Sequence, residues 1–109
     1  YVSETRKLLI LARKDYELKH VKDAYEKFSQ AIRLYYSYKL SLDKEITAVE
    51  LLNQITHVDK TEYQLVYDSL TLCGKIEFAK HTEKENEFIK CISNFSKNVE
   101  NNSQDIMIR

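Results

Sequence analysis

A chain of 109 residues with no proline and one glycine, Gly74, has few ways to turn sharply except where helices end. Hairpin turns and bulges draw on those two residues, one for its positive φ and the other for its fixed φ. A β-rich chain of this length would need several of each. The sequence therefore predicts an all-α fold, and 43% apolar with 31% charged residues is enough for one core of ordinary size. The same glycine count excludes phosphate-cradling glycine loops.

Lys+Arg and Asp+Glu are equal at 17 each, so the formal net charge is zero. Binding DNA or RNA by counterion release needs a basic face, and a neutral total gives it no general support. Clustering of Lys7, Arg13, Lys14 and Lys19 on one surface would supply such a face locally. No apolar run reaches the roughly 18 residues of a membrane span, and no signal-peptide pattern is present. The chain starts at Tyr1 rather than at methionine. It is expected to be part of a longer protein, with an anchor or second domain upstream.

Apolar spacing predicts five helices. The first covers about Glu4 to Leu18, capped by Ser3, with Leu8, Leu11, Ala12 and Tyr16 on its stripe and Leu9 and Ile10 widening it. His20 and its neighbours form a turn. The second covers about Val21 to Leu40 and buries Val21, Ala24, Tyr25, Phe28, Ala31, Ile32 and Tyr35. Alanine beside phenylalanine lets two backbones approach while a ring fills the adjoining space. A polar connection, Ser41 to Glu45, follows.

The third helix, about Thr47 to Ile55, begins with a capping box of Thr47 and Glu50 and a hydrophobic staple of Ile46 and Leu51. The fourth opens with a box from Asp59 to Glu62 and carries Tyr63, Val66, Tyr67, Leu70 and Cys73 to about Lys80. Gly74 within it marks a close helix crossing or the helix end. A third box, Thr82 to Glu85, starts the last helix, where Phe88, Ile92, Phe95 and Val99 keep a strict helical period. Residues 1–100 are expected to form one domain. Residues 101–109 are expected to be a flexible tail, unless Ile106, Met107 and Ile108 dock.

The first two helices resemble a tetratricopeptide repeat. Leu11-Ala12 stand where that repeat has its large-small pair, and Ala24, Phe28 and Ala31 follow at the spacing of its second helix. Leu8 replaces the early aromatic and Tyr36 the closing proline. The pattern does not recur, since Asn86 and Lys90 occupy the later small and aromatic positions. One unit cannot build the concave groove of an array, so a peptide groove is not carried over. The hairpin also looks like the helical pair of microtubule-interacting-and-transport domains, which bind partner helices but have three helices. The whole layout resembles an uncharacterised C-terminal helical accessory domain of archaeal and bacterial membrane-anchored proteins. Thr47-Ala48-Val49-Glu50-Leu51-Leu52 and Leu72-Cys73-Gly74 occupy its short motifs. That resemblance implies a cytoplasmic accessory domain and names no activity.

No catalytic, cofactor or metal site is expected. His20, His57 and His81 share no ligand spacing with one another or with Cys73 and Cys91, and the cysteines read as reduced, largely buried thiols. Helical bundles of the ribonuclease kind depend on an arginine followed closely by a histidine, and Arg13 to His20 is one step too long. Glu83, Glu85 and Glu87 read as a solvated helix face. The triplets at Asn94 and Asn101 read as chance matches to the glycosylation signal.

The tyrosines are the remaining candidates. Tyr35, Tyr36 and Tyr38 fall on successive faces, so at least one is expected at the surface, where tyrosine combines apolar area with a polar tip. With Arg33 and Lys39 they are the expected partner-binding residues. Serine at both Tyr36 and Tyr38 is expected to spare folding and weaken a partner. The function expected is a non-enzymatic protein-interaction or accessory module, docking a helix or self-associating. A small helical nucleic-acid-associated factor or ribonuclease-like bundle is the alternative.

Overall fold

The computed structural model describes residues 1–42, 45–55, 60–78 and 87–108, with side chains as far as Asn101 and without that of Phe78. Among them are five helices: α1 Val2–Glu17, α2 Val21–Lys39, α3 Ala48–Gln54, α4 Lys60–Phe78 and α5 Glu87–Ile108. The all-α helical bundle expected from the sequence is present.

α1 begins two residues earlier than predicted. Tyr1, not Ser3, precedes the first turn, and its carbonyl accepts both the Thr5 backbone N–H and the Thr5 hydroxyl, each at 2.9 Å. Thr5 is fully buried, and this bond satisfies its hydroxyl there.

The ends of α1 and α2 show how a chain so poor in glycine turns. Behind α1, the Lys19 N–H donates to the Tyr16 carbonyl and the His20 N–H to the Asp15 carbonyl. Behind α2, Ser41 and Leu42 donate to Tyr38 and Ser37 in the same pattern. These are Schellman closures, which place one residue in the left-handed region. Glycine usually takes that place. Here Lys19 has φ 68° and Ser41 has φ 55°.

α3 starts as the sequence predicts. The Glu50 N–H donates to Thr47 Oγ1 at 3.2 Å, and the Thr47 N–H to Glu50 Oε1 at 3.4 Å. The staple residues Ile46 and Leu51 are both in the core. The boxes predicted at Asp59 and Thr82 lie outside the described residues, Glu62 excepted. α5 continues as helix to Ile108, past the Asn101 at which a tail was expected.

Gly74 marks neither a crossing nor an end. α4 runs on to Phe78, and a Cβ built at Gly74 meets nothing within 4 Å. The two backbone features lead to paired predictions. Gly74→Ala removes unfolded-chain entropy, and Lys19→Gly removes the left-handed cost. Each is expected to raise the unfolding free energy by about 0.5–1 kcal/mol, measured by urea titration.

The four long helices close a ring in the order α1, α2, α4, α5, and α3 bridges α2 and α4. Side-chain pairs give the directions. Arg6 meets Glu100 and Arg13 meets Ser93, so α1 and α5 are antiparallel. Tyr36 meets Glu62 and Asn98, which makes α4 antiparallel to α2 and brings α5 to the same end. This is up-and-down bundle geometry.

Rings fill the centre. Phe88 packs against Tyr16, Tyr25 and Phe28 at centroid distances of 4.4, 5.0 and 5.9 Å. One layer on, Phe95 meets Phe28, Tyr35 and Tyr36 at 6.0, 5.9 and 6.4 Å. Ala12, Ala24 and Ala31 are fully buried beside them, as the small-large pattern requires. On α1 the stripe is Thr5, Leu9 and Ala12. Leu11, expected inside, is 46% exposed, and Ile10 is 65% exposed. Leu9 sits four residues after Thr5 and three before Ala12, and Leu11 falls on the opposite face.

Candidate functional site

The end of α2 is where the sequence placed the partner-binding residues, and the structure divides them. Tyr35 and Tyr36 are core residues at 1% and 0% exposure, whereas Tyr38 is 42% exposed. One tyrosine does reach the surface, as expected. Tyr36 does not, so the expectation that serine at Tyr36 spares folding is corrected. α2 has α1 and α4 beside it and α5 across the bundle, so adjacent faces of one helix are both covered.

Around Tyr36 a polar cluster joins three helices. Its hydroxyl donates to Glu62 Oε1 on α4 at 2.6 Å. Asn98 Nδ2 on α5 donates to the Tyr36 oxygen at 3.2 Å and to Glu62 Oε1 at 3.4 Å. Lys39 Nζ donates to the same Glu62 oxygen at 3.4 Å and lies over the Tyr35 and Tyr36 rings, 5.5 and 5.7 Å from their centroids. Burial, then the hydrogen bond and charge of Glu62, push the Tyr36 phenol far above its ordinary value of 10.0. The phenol therefore stays protonated and donates. This chemistry joins three helices, and the phenol itself is no acid near neutral pH.

Arg33 belongs to a different surface. Its Nε donates to the Ser29 carbonyl at 3.3 Å, and it borders a groove with Lys22, Glu26 and Glu77 of α4. Burial, then Glu26, pushes the Glu77 carboxyl up, and Arg33 pulls it back. Tyr38 turns instead toward α1 and stacks on Tyr1 with centroids 5.9 Å apart and planes 6° apart. The Tyr1 ring also lies 5.7 Å from Tyr35, so a buried ring supports the exposed pair. The five predicted residues thus divide among the core, the α2–α4 seam and the α1 side.

Tyr38 excepted, sequence reasoning missed the apolar residues left outside on the first hairpin. Tyr1, Ile10, Leu11, Leu18 and Tyr38 are each at least 40% exposed. Four consecutive apolar residues, Leu8 to Leu11, have no period that tells which face turns out. The basic residues of α1 also separate. Lys7 and Lys14 are exposed, and Lys7 pairs with Glu4, whereas Arg13 turns to Ser93 on α5.

The thiols sit on facing helices. Burial pushes the Cys73 thiol far above its ordinary 9.0, with Glu77 and Cys91 adding to the shift. Burial, then Asp68 and Glu87, raises Cys91, while Lys90 and Ser69 pull it down. Such thiols are poor nucleophiles at neutral pH. In the triplet at Asn94, Phe95 is fully buried and the Ser96 hydroxyl donates to the Ile92 carbonyl. His20 Nδ1 lies 4.0 Å from Asp15, while His57 and His81 lie outside the described residues. Among the described residues no three His, Cys, Asp or Glu side chains converge as metal ligands, and no helix is long and apolar enough to cross a membrane.

Tyr36 and Cys73 give the fold an alkaline limit. Both hold their protons more tightly folded than unfolded, so their contribution is whole below the unfolded values of 10.0 and 9.0 and falls away as pH rises past them. The unfolding free energy is expected to decline from about pH 9 upward, and Tyr36→Phe is expected to flatten that decline. Urea titrations across the alkaline range measure both.

Comparison of the chain with family models, with curated proteins and with solved structures gives no match.

Proposed function

We propose that this chain is a non-enzymatic helical interaction module of a larger cytoplasmic protein, and that it binds a protein partner through its first hairpin. The observation that carries this reading is the placement of exposed apolar side chains. Among the described residues, five of the eight exposed large apolar side chains lie on the first hairpin, where Ile10, Leu11 and Leu18 of α1 and its C-cap stay 65%, 46% and 56% exposed. A supported, stacked tyrosine pair stands at the other end of the hairpin. Exposed single leucines are ordinary, but several on one hairpin that also carries a stacked aromatic pair resemble the anchors of an interface. The groups whose proton affinity is strongly shifted, Tyr36 and Cys73, are moved away from neutrality, opposite to what acid–base or thiolate catalysis needs. Nucleic acid, membrane contact and cofactors have no part in this reading.

The test compares two baits, the native domain and a Leu11→Ser, Tyr38→Ser variant, in nuclease-treated lysate at moderate salt. Both substitutions are at exposed positions, and matching circular dichroism melts are expected. A defined protein retained by the native domain and reduced at least about fivefold by the variant supports the module. Equal recovery on both baits, or recovery of nothing, overturns it.

A further inference from the structure

A groove follows the seam between α1 and α5. Leu9 and Val99, 5% and 0% exposed, form its floor, and Ile10 stands at its rim. Its volume is about 160 Å³. An apolar cavity of about 150 Å³ holds a molecule the size of benzene, so one branched aliphatic side chain fits. The charges at its two ends differ. At one end the Arg6 guanidinium makes two bonds to the Glu100 carboxylate, 2.6 and 2.8 Å, and the pair is neutral. Two turns along α1, Arg13 reaches only the Ser93 hydroxyl, at 3.5 Å, and has no carboxylate partner among the described residues. A guanidinium carries five N–H donors, and one long contact to a hydroxyl leaves its charge uncompensated. The groove is therefore an apolar slot with one open positive end.

We infer that this groove binds an acidic peptide segment of a protein partner. A leucine- or isoleucine-type side chain sits on Leu9 and Val99 beside Ile10, and an aspartate or glutamate nearby in the peptide pairs with Arg13. This rests on the interaction-module reading and adds the partner's chemistry. It also predicts that binding weakens with salt, because one contact is ionic and lies at a surface.

The test is selection of a phage-displayed library of random 12-residue peptides on the purified domain. Enriched peptides are then titrated by fluorescence anisotropy against the native protein, Arg13→Gln, Ile10→Ser and Tyr38→Ser. The expected peptides carry a leucine or isoleucine together with an acidic residue. They are expected to lose at least about tenfold in affinity on Arg13→Gln and on Ile10→Ser, and to be indifferent to Tyr38→Ser. Ile10 is 65% exposed, so Ile10→Ser reads binding rather than folding. Arg13→Lys, which keeps the charge, is expected to retain more affinity than Arg13→Gln. Peptides that lose affinity only on Tyr38→Ser would overturn the groove while leaving the module standing. Basic or non-acidic peptides, unchanged affinity in Arg13→Gln, or no enrichment over an unrelated helical protein would overturn the groove outright.

Discussion

Tyr36→Ser is expected to lower the unfolding free energy by about 3–5 kcal/mol, the cost of emptying a buried aromatic site. The ring is fully buried, lies 5.1 Å from Tyr35 and 6.4 Å from Phe95, and its hydroxyl holds Glu62 and Asn98. Serine removes the ring and cannot reach those partners. Glu62 then loses its shortest bond, while Lys39 and Asn98 stay at 3.4 Å each. A domain of this size has a total stability of about 5–15 kcal/mol, so roughly a fifth or more of it is at stake. The melting temperature is expected to fall by at least roughly 12 °C. A circular dichroism melt checks this, and a loss under about 1 kcal/mol would show that the site collapses without cost. Tyr36→Phe keeps the ring and isolates the hydroxyl, for an expected loss of about 1–3 kcal/mol from partners left unpaired.

The second large effect is expected at Phe88. This ring touches three others, on α1 and α2, from the first turn of α5. Phe88→Ala is expected to cost about 3–5 kcal/mol through the cavity it opens at the point where α5 crosses the first hairpin. Phe88→Leu keeps most of the volume, and its expected cost is under about 1.5 kcal/mol. Urea titration of the two variants separates volume from aromatic contact. Equal losses in both would assign the site's worth to ring geometry rather than to filled space.

The sequence reading of the core succeeded where the period was unambiguous. Phe88, Ile92, Phe95 and Val99 recur at helical spacing, and all four are fully buried. Ala24, Phe28 and Ala31 likewise sit where their sizes suggest, and the Thr47–Glu50 box forms because both partners are local. Misplacements arose where the deciding contact is distant in sequence. Leu9 and Leu11 are equally apolar, and only the positions of α2 and α5 determine which is inside. Tyr36 sits beside Tyr35 on α2, and a stripe drawn from one helix leaves it at the edge. Its burial comes from Glu62 and Asn98, 26 and 62 residues away. Glu62 itself reads as a capping residue from the sequence, which hides its role as the acceptor at the centre of the cluster. The left-handed residues Lys19 and Ser41 gave no signal, since neither is glycine or asparagine.

We propose a division of labour in which the Tyr36 cluster holds the bundle together and the exposed first hairpin meets a partner. The most direct test measures two quantities, unfolding free energy and affinity for the protein captured by the native bait, in Tyr36→Phe and Tyr38→Ser. Tyr36→Phe is expected to lose stability and keep its affinity, whereas Tyr38→Ser keeps its stability and loses affinity. A Tyr36→Phe variant as stable as the native protein but unable to bind would contradict the account and move function into the cluster.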